Sequence, residues 1–271
     1  MNETSMHALI ALGMGALQGV TEFLPISSDG HLALFAFLVD VPEMSLALVL
    51  LLHVGTLLAT FLVFRQDLLQ LAKVTSSHVM RPKLLLETTE GKELLALFCA
   101  CVPTAVIGLL MKERVEALSA TPWVVGAGFL ASAAVVYSTR GRNGALEVLG
   151  PGGAFLIGVA QGIAVLPGVS RSGLTIACAL LFGMSAPAAF RFSFLLSIPV
   201  IAGATALKLG EPGVLAAMDW AAWLAAVTSF VVGFIALKLL AAVLTRGHFW
   251  LFSLYLLPLG AIVLALSFLQ G

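Results

Sequence analysis

The stretch "LPISSDGHLAL" at residues 24–34 interrupts two apolar segments with a proline, two hydroxyls, a carboxylate and an imidazole. The chain around it is strongly apolar: of its 271 residues 60% are hydrophobic and 10% are charged, and the mean hydropathy is +1.08. A soluble domain carries about 25% charged residues, so this chain has too few charges for a solvated surface. We therefore predict an all-α integral membrane protein, because helices satisfy their own backbone polar groups within lipid.

Charge and cysteine content exclude several classes of protein. The formal net charge is zero, which gives no reason to expect nucleic acid as a partner. The N-terminal "MNETSMHALIALG" lacks the basic region of a cleaved signal peptide, so we expect its apolar run to belong to the mature fold. The three cysteines lie within apolar runs, and we expect small packing residues rather than a disulfide framework or metal site: Cys99, Cys101 and Cys178.

Hydrophobic run length predicts two kinds of membrane segment. A crossing helix needs roughly 20 apolar residues, and six segments qualify: about 44–64, 94–111, 122–139, 186–207, 219–239 and 249–269. Two further pairs of runs are broken near a proline: 6–24 with 31–41, and 153–166 with 173–184. Each pair predicts a re-entrant helix hairpin, since broken backbone at membrane depth requires protein or a wet cavity around it.

The two hairpins resemble each other in sequence. A gapless shift of 143 residues gives five identical pairs: Gly15/Gly158, Gln18/Gln161, Gly19/Gly162, Ser27/Ser170 and Gly30/Gly173. We predict one membrane domain, 1–271, whose halves, about 6–139 and 150–271, form an inverted-topology repeat. Such repeats bring broken helices together near the bilayer midplane, where substrate sites form. The small-xxx-small spacing of the paired glycines permits close helix contact.

The distribution of basic residues predicts the orientation in the membrane. Nine lysines and arginines fall on the loops 65–93, 140–151 and 238–248, whereas three fall on the opposite side. The positive-inside rule makes the first side cytoplasmic. Both termini are then periplasmic, and the first hairpin enters from the periplasmic side. We interpret 65–93, whose charges are mixed, as a solvated surface segment rather than a site.

The second break, "PGVSRSGLT" at 167–175, places an arginine at membrane depth. A charge there costs about 2.5–3.5 kcal/mol on insertion scales, so Arg171 needs a partner or a ligand. A guanidinium among hydroxyls at the start of a helix forms an anion cradle suited to phosphate; the candidate members are Ser170, Arg171, Ser172 and Thr175. Alternatively, a serine merely caps the helix, and Arg171 pairs with Glu22 or Asp29.

The first hairpin carries the residue types of an acid–base site. Gln18 and Glu22 are four residues apart and share a helix face, where their oxygens could coordinate a hard cation together with a diphosphate. Alternatively, Glu22 could deprotonate a nucleophile. His31 follows Ser27 and Ser28 by about one turn, and a hydroxyl with an imidazole and a carboxylate is typical of an activated nucleophile.

These motifs resemble a known family. "QGVTEFLPISSDGH" at 18–31 and "PGVSRSGLT" are similar to the two signature motifs of bacterial undecaprenyl-diphosphate phosphatases of the bacitracin-resistance type. The first resembles the family's (Glu or Gln)-x-x-x-Glu motif with a Ser-Ser-x-Gly-His run. The second has every fixed position of its Pro-Gly-x-Ser-Arg-Ser-x-x-Thr motif, and "FRFSFLLSIP" at 190–199 is similar as well. One departure is Asp29, where the family usually has Thr or Ser; its charge could help to hold a metal or weaken diphosphate binding.

The resemblance implies a reaction at the periplasmic face of the bacterial inner membrane. Undecaprenyl diphosphate is hydrolysed to undecaprenyl phosphate and inorganic phosphate, which recycles the lipid carrier of peptidoglycan synthesis. Carried over by position, the catalytic residues are Glu22, Ser27, Ser28, His31 and Arg171, and the phosphate-binding residues are Ser170, Arg171, Ser172 and Thr175. The resemblance also implies a divalent cation, magnesium or calcium, for which the candidate ligands are Gln18, Glu22 and Asp29.

Several alternatives stay open at the level of sequence. Ser28, helped by His31 and Glu22, is the favoured nucleophile, but direct attack by His31 or by water is not excluded. Arg191 is either a second head-group contact or part of a structural ion pair. A transporter or flippase of a polyprenyl phosphate lipid is the alternative function, because inverted repeats with broken helices are transporter architecture. The expected partners are the polyprenyl diphosphate lipid, membrane lipids and a second copy in a homodimer.

Overall fold

A computed structural model describes residues 3–39, 45–79, 81, 83–119, 121–142 and 144–270. Within these residues the chain is predominantly helical. The helices are α1 Glu3–Phe23, α2 Ser28–Val39, α3 Leu46–Val63, α4 Arg65–Val79, α5 Leu84–Glu87, α6 Thr89–Ser119, α7 Pro122–Tyr137, α8 Pro151–Ile163, α9 Arg171–Leu181, α10 Ala186–Leu209, α11 Trp220–Thr245, a 3₁₀ turn Phe249–Phe252, and α12 Ser253–Gln270. The predicted all-α class is confirmed.

Among the described residues, five helical segments are long and apolar enough to cross a membrane: Leu46–Val63, Thr89–Val115, Ala186–Leu209, Trp220–Thr245 and Phe249–Leu269. The sixth predicted span, 122–139, corresponds to α7, an apolar helix of 16 residues. Large apolar side chains face outward on these helices, such as Leu110, which is 73% exposed, and Val227, which is 59% exposed. An apolar exterior of this kind requires lipid as its solvent, so the chain is a multi-pass membrane protein.

Both predicted helix breaks are present. Between α1 and α2, Pro25 cannot donate a backbone hydrogen bond, and Ser27 adopts a positive φ of 71°. Between α8 and α9, Gly168 has a φ of 81°, and a Cβ built there would lie 2.1 Å from the carbonyl oxygen of Val125 on α7. Glycine is therefore required at this turn both by the backbone angle and by the close approach of α7.

The two broken helices pack against corresponding partners. α1 packs on α11, and α8 packs on α6. A Cβ on Gly15 would lie 2.5 Å from the carbonyl oxygen of Ala225, and one on Gly158 would lie 2.1 Å from that of Ala100. The predicted close contact at these two glycines is thus present, and Thr104 reinforces the second one by donating to the carbonyl of Gly158 at 2.8 Å.

Aromatic rings pack together where α1, the end of α3 and α10 meet, next to the first break. Phe194 lies with its ring centroid 5.7 Å from Phe23 and 5.9 Å from Phe64. Phe23 and Phe194 are fully buried, so they exclude water from the core next to the first break. The three cysteines are free thiols that are half-buried against this core, as expected for packing residues: Cys99, Cys101 and Cys178.

The segment 65–93 is mostly exposed among its described residues, as expected of a solvated surface segment. It forms α4, α5 and the start of α6, and two of its carboxylates, Asp67 and Glu93, form ion pairs with Arg191 on α10. The guanidinium is about one-third exposed, so its charge requires these partners. Of the two interpretations of Arg191, the structural ion pair is the one observed.

Candidate active site

Ser27 shapes the first break and caps the helix that follows it. It is buried and has a positive φ, which is uncommon for a residue other than glycine and marks local strain. Its hydroxyl accepts a hydrogen bond from the backbone N–H of Gly30 at 3.3 Å, and its carbonyl accepts from that of His31 at 3.3 Å. The Ser27 side chain is therefore occupied as a cap, whereas the neighbouring Ser28 is half-buried at the start of α2.

The carboxylate of Glu22 connects the two breaks. Its side chain is 5% exposed, and Oε1 forms an ion pair with the guanidinium of Arg171. Oε2 accepts hydrogen bonds from the hydroxyl of Ser28 at 2.7 Å and from the side-chain amide of Gln18 at 3.1 Å. Because an unpaired buried charge is strongly destabilising, Glu22 and Arg171 stabilise each other. The structure thus brings four of the predicted site residues together.

A serine on α7 holds the second break in place. The hydroxyl of Ser132 accepts from the backbone N–H of Ser170 at 2.8 Å and donates to the carbonyl of Gly168 at 3.3 Å. Ser170 in turn caps α9, because its hydroxyl accepts from the N–H of Gly173 at 3.1 Å. Arg171 is the first residue of α9, where the helix dipole and the free N–H groups favour an anion.

The other hydroxyls of the second motif are turned into the protein. Ser172 donates to the carbonyl of Leu24 at 3.3 Å, and Thr175 is hydrogen-bonded to Ser193 on α10 and to the carbonyl of Arg171 at 2.9 Å. Ser170, Ser172 and Thr175 are each at most 1% exposed, whereas the side chain of Arg171 is 18% exposed. These hydroxyls brace the loop, and their direct contact with phosphate stays a prediction.

The imidazole of His31 has hydrogen-bond partners at both ring nitrogens. Nδ1 lies 2.7 Å from the carbonyl oxygen of Ser27, and Nε2 lies 2.8 Å from the hydroxyl of Tyr255 on α12. The ring also contacts the edge of Phe129, with centroids 5.3 Å apart. The predicted help of His31 to Ser28 is therefore not a direct hydrogen bond in this structure, since Ser28 donates to Glu22 and both imidazole nitrogens are engaged elsewhere.

A second histidine, His53 on α3, lies at the same site and was not foreseen from the sequence. Its Nε2 is 3.9 Å from Glu22 Oε2 and 3.9 Å from Asp29 Oδ1, while Nδ1 lies 2.9 Å from the carbonyl oxygen of Val49. The side chain of Asp29 is 56% exposed. Asp29 therefore faces both solvent and the imidazole of His53. The carboxylate of Asp29, which departs from the family pattern, thus has a histidine as its neighbour.

The candidate metal ligands supply oxygen atoms but do not form a complete cage. Gln18 Oε1 is buried and finds no hydrogen-bond partner among the described residues, so it is available to a cation. In the part of the chain that the structure describes, no group of three His, Cys, Asp or Glu side chains has an arrangement that could hold a metal ion. Mg²⁺ typically takes one or two carboxylates and completes its shell with water and substrate phosphates, and a cation at these residues stays a prediction.

Three residues at the site were not predicted from the sequence, and only one of them, His53, has a recognisable sequence signal. His53 is an ionisable residue within an apolar span, and such a residue is itself a signal of a functional site. Ser132 and Tyr255 carry no comparable local pattern, because serine and tyrosine are common in membrane helices. Their roles follow only from contacts that are distant in sequence, with Ser170 and His31.

Comparisons with known proteins agree along nearly the whole chain. The sequence profile of the family described as "Bacitracin resistance protein BacA" matches residues 11–262. An undecaprenyl-diphosphatase of Desulfosudis oleivorans is 40% identical over 269 residues, which covers 96% of this chain and 98% of that protein. An undecaprenyl-diphosphatase of Korarchaeum cryptofilum is 38% identical, with 96% and 100% covered, and one of Rubrobacter xylanophilus is 39% identical, with 97% and 100% covered.

Proposed function

Because the chain belongs to the bacitracin resistance protein BacA family, we propose that it hydrolyses undecaprenyl diphosphate to undecaprenyl phosphate and inorganic phosphate. The observation that carries this proposal is the position of Glu22, whose carboxylate contacts both the hydroxyl of Ser28 and the guanidinium of Arg171. A base, a nucleophile and a cation for the phosphate are thereby within one hydrogen-bonded group. The product recycles the lipid carrier of peptidoglycan synthesis.

Binding of the diphosphate relies on the second break. Arg171 and the N-terminus of α9 offer a two-pronged donor and free backbone N–H groups to the terminal phosphate. Phosphoryl transfer is catalysed mainly by positioning and by stabilising charge on the non-bridging oxygens. The guanidinium therefore has its largest effect when the oxygen that leaves with undecaprenyl phosphate takes up negative charge.

Ser28 is the nucleophile in the mechanism that we favour. Glu22 Oε2 accepts its proton while Oγ attacks the terminal phosphorus, and the bond from phosphorus to the bridging oxygen breaks. Undecaprenyl phosphate leaves with the proton that Glu22 had accepted. Glu22 then takes a proton from the water that attacks the phosphoserine and returns it to Ser28 Oγ as inorganic phosphate is released. Attack by His31 would form a phosphohistidine instead, and attack by water would release inorganic phosphate without a covalent intermediate.

A divalent cation, magnesium or calcium, fits the acidic side of this site. Gln18 Oε1, Glu22 and Asp29 would hold it, and when bound it would neutralise charge on the diphosphate. The unpaired oxygen of Gln18 supports this part of the proposal, because a buried amide oxygen without a partner is unfavourable unless something occupies it.

We further propose six crossings with two re-entrant hairpins in an inverted repeat. The corresponding contacts of Gly15 with α11 and of Gly158 with α6 support this arrangement. The excess of basic residues on one side supports a site open to the periplasmic face of the inner membrane, with both termini periplasmic, although residues 1, 2 and 271 lie outside the described residues. A homodimer stays a prediction.

The direct test is release of phosphate from a polyprenyl diphosphate by the purified protein in detergent. Glu22→Gln removes the base while keeping the shape of the side chain, and we expect at least a 100-fold loss of turnover. Glu113→Gln, at an exposed carboxylate on α6, is the matched control and should retain full turnover. Binding of the lipid without any phosphate release by the unmodified protein would contradict hydrolysis and favour the transporter alternative.

A further inference from the structure

The hydrogen bonds of His31 define which of its nitrogens is available for chemistry. Nδ1 lies 2.7 Å from the carbonyl oxygen of Ser27, which can only accept, so Nδ1 carries a hydrogen. In the neutral ring, Nε2 is then a lone-pair acceptor. The hydroxyl of Tyr255, 2.8 Å away, is consequently the donor to Nε2. The helix α12, which is distant in sequence from both motifs, thus supplies the second hydrogen-bond partner of the imidazole.

Packing fixes the plane of the same ring. The rings of Tyr255 and His31 are stacked, with centroids 5.8 Å apart and planes inclined by 13°. Phe129 approaches the imidazole edge-on at 5.3 Å and 68°. With the ring plane held by two aromatic neighbours and Nδ1 held by Ser27, the hydroxyl of Tyr255 determines the direction and state of Nε2. Tyr255 is 47% exposed, so its position also borders the surface of the protein.

We propose that Tyr255 is a positioning residue of the hydrolysis, whose hydroxyl holds Nε2 of His31 in place while the carbonyl of Ser27 fixes the Nδ1–H tautomer. The assignment rests on the proposed function, since a defined tautomer matters only where His31 takes part in the reaction. Any proton that His31 accepts or returns during turnover passes through Nε2, because Nδ1 is committed to Ser27. Loss of the tyrosine hydroxyl removes the hydrogen bond that holds Nε2 and allows the ring to shift, which lowers the fraction of molecules ready to react.

Kinetics of Tyr255→Phe test this role, because phenylalanine keeps the stacked ring and removes only the hydroxyl. We expect kcat for phosphate release to fall about ten-fold, the lower end of what loss of an orienting partner causes, with KM changed less than two-fold. Tyr137→Phe is the matched control, since Tyr137, the other tyrosine of the chain, packs on Trp250 and accepts from Arg140. Unchanged kcat, or a rise in KM alone, would overturn the assignment in favour of plain packing or of substrate contact.

A measurement that needs no turnover separates this inference from the proposed function. In protein labelled with ¹⁵N-histidine, His31 is assigned by comparison with His31→Gln, and its resonances should report a protonated Nδ1 and a hydrogen-bonded, unprotonated Nε2. In Tyr255→Phe the Nε2 resonance should shift because its hydrogen bond is lost, while Nδ1 stays protonated. A native Nε2–H tautomer, or identical spectra in the two proteins, would overturn the inference. An unmodified protein without phosphatase activity would contradict the proposed function alone.

Discussion

The two helix breaks share a backbone design but differ in chemistry. At the shift that aligns them, Gln18 corresponds to Gln161, and both amide oxygens are buried without a hydrogen-bond partner among the described residues. Glu22 corresponds to Val165, however, and Ser28 corresponds to Arg171. One break therefore supplies a carboxylate and a hydroxyl, and the other supplies the cation that pairs with that carboxylate.

This division teaches that neither break forms a site alone. A buried carboxylate and a buried guanidinium are each unfavourable in isolation, and their pairing compensates both. The pair also fixes the relative position of α1 and α9, which start from opposite halves of the chain. Corresponding positions of the two breaks thus carry different side chains, and the site that they form together is asymmetrical.

The largest effect is expected from the first break, at His31. His31→Ala removes the imidazole that lies between Ser27 and Tyr255, and turnover should become undetectable while substrate binding is largely retained. Phosphate release and binding of a labelled polyprenyl diphosphate measure the two effects. Joint loss of binding and turnover would assign His31 to the architecture of the site rather than to the reaction.

The second break is tested by Arg171→Lys, which keeps the charge but replaces the two-pronged guanidinium with a point charge. We expect kcat/KM to fall about 100-fold, as on removal of a positioned donor to the transition state. Arg142→Lys, at an exposed arginine, is the matched control and should behave like the unmodified protein. Near-normal phosphate release by Arg171→Lys would refute the anion cradle.

Removal of divalent cations tests whether the first break, with Glu22 and Asp29, holds a metal. Chelation should lower phosphate release at least ten-fold, and magnesium or calcium should restore it, because the diphosphate would otherwise lack a counter-charge on that side. Gln18→Leu should raise the cation concentration needed for half-maximal restoration. Full activity in excess chelator would remove the metal from the mechanism.

A smaller effect is expected at the mouth of the first break, where Asp29 and His53 are neighbours. Under conditions in which the His53 imidazole is protonated, His53→Gln leaves the charge of Asp29 uncompensated and should raise KM about five- to ten-fold by repelling the diphosphate. Asp29→Ser in the same protein should return KM close to its original value. Additive effects of the two substitutions in a double-mutant cycle would show that the residues act independently.

The smallest effect compares the two equivalent glutamines directly. Gln18 donates to Glu22 at 3.1 Å, so Gln18→Leu should lower kcat about five-fold through loss of that hydrogen bond. Gln161 donates to Thr104 at 3.4 Å, away from the carboxylate, and Gln161→Leu should change kcat less than two-fold. Equal losses in the two variants would indicate that the second break also contributes to the reaction.

Local features made much of the fold and part of the site predictable. Hydrophobic run length located the long helices, and the prolines near each break located the turns, because both signals act within a few residues. Arg171 stood out since a charge at membrane depth demands a partner. The choice of Glu22 over Asp29 as that partner depends on how the tertiary fold brings the end of α1 to the start of α9, which no local pattern encodes.

The ion pairs that the segment 65–93 makes with Arg191 were hidden for the same reason. Mixed charges are typical of a solvated segment, and nothing nearby indicated that Asp67 and Glu93 would meet an arginine about one hundred residues or more downstream. Ser132, His53 and Tyr255 likewise join the site from three separate helices. Contacts between distant parts of the chain thus account for what the sequence left open.

In the protein without lipid, the carboxylate of Glu22 occupies the guanidinium of Arg171 and so competes with the phosphate of a ligand for it. An incoming lipid has to displace the Glu22 carboxylate from the guanidinium. The site therefore binds head groups with more than one negative charge more tightly than head groups with a single charge. A monoester product brings less charge than its parent and leaves Glu22 able to reclaim the arginine. Release of the lipid product therefore restores an interaction that already exists before any lipid arrives.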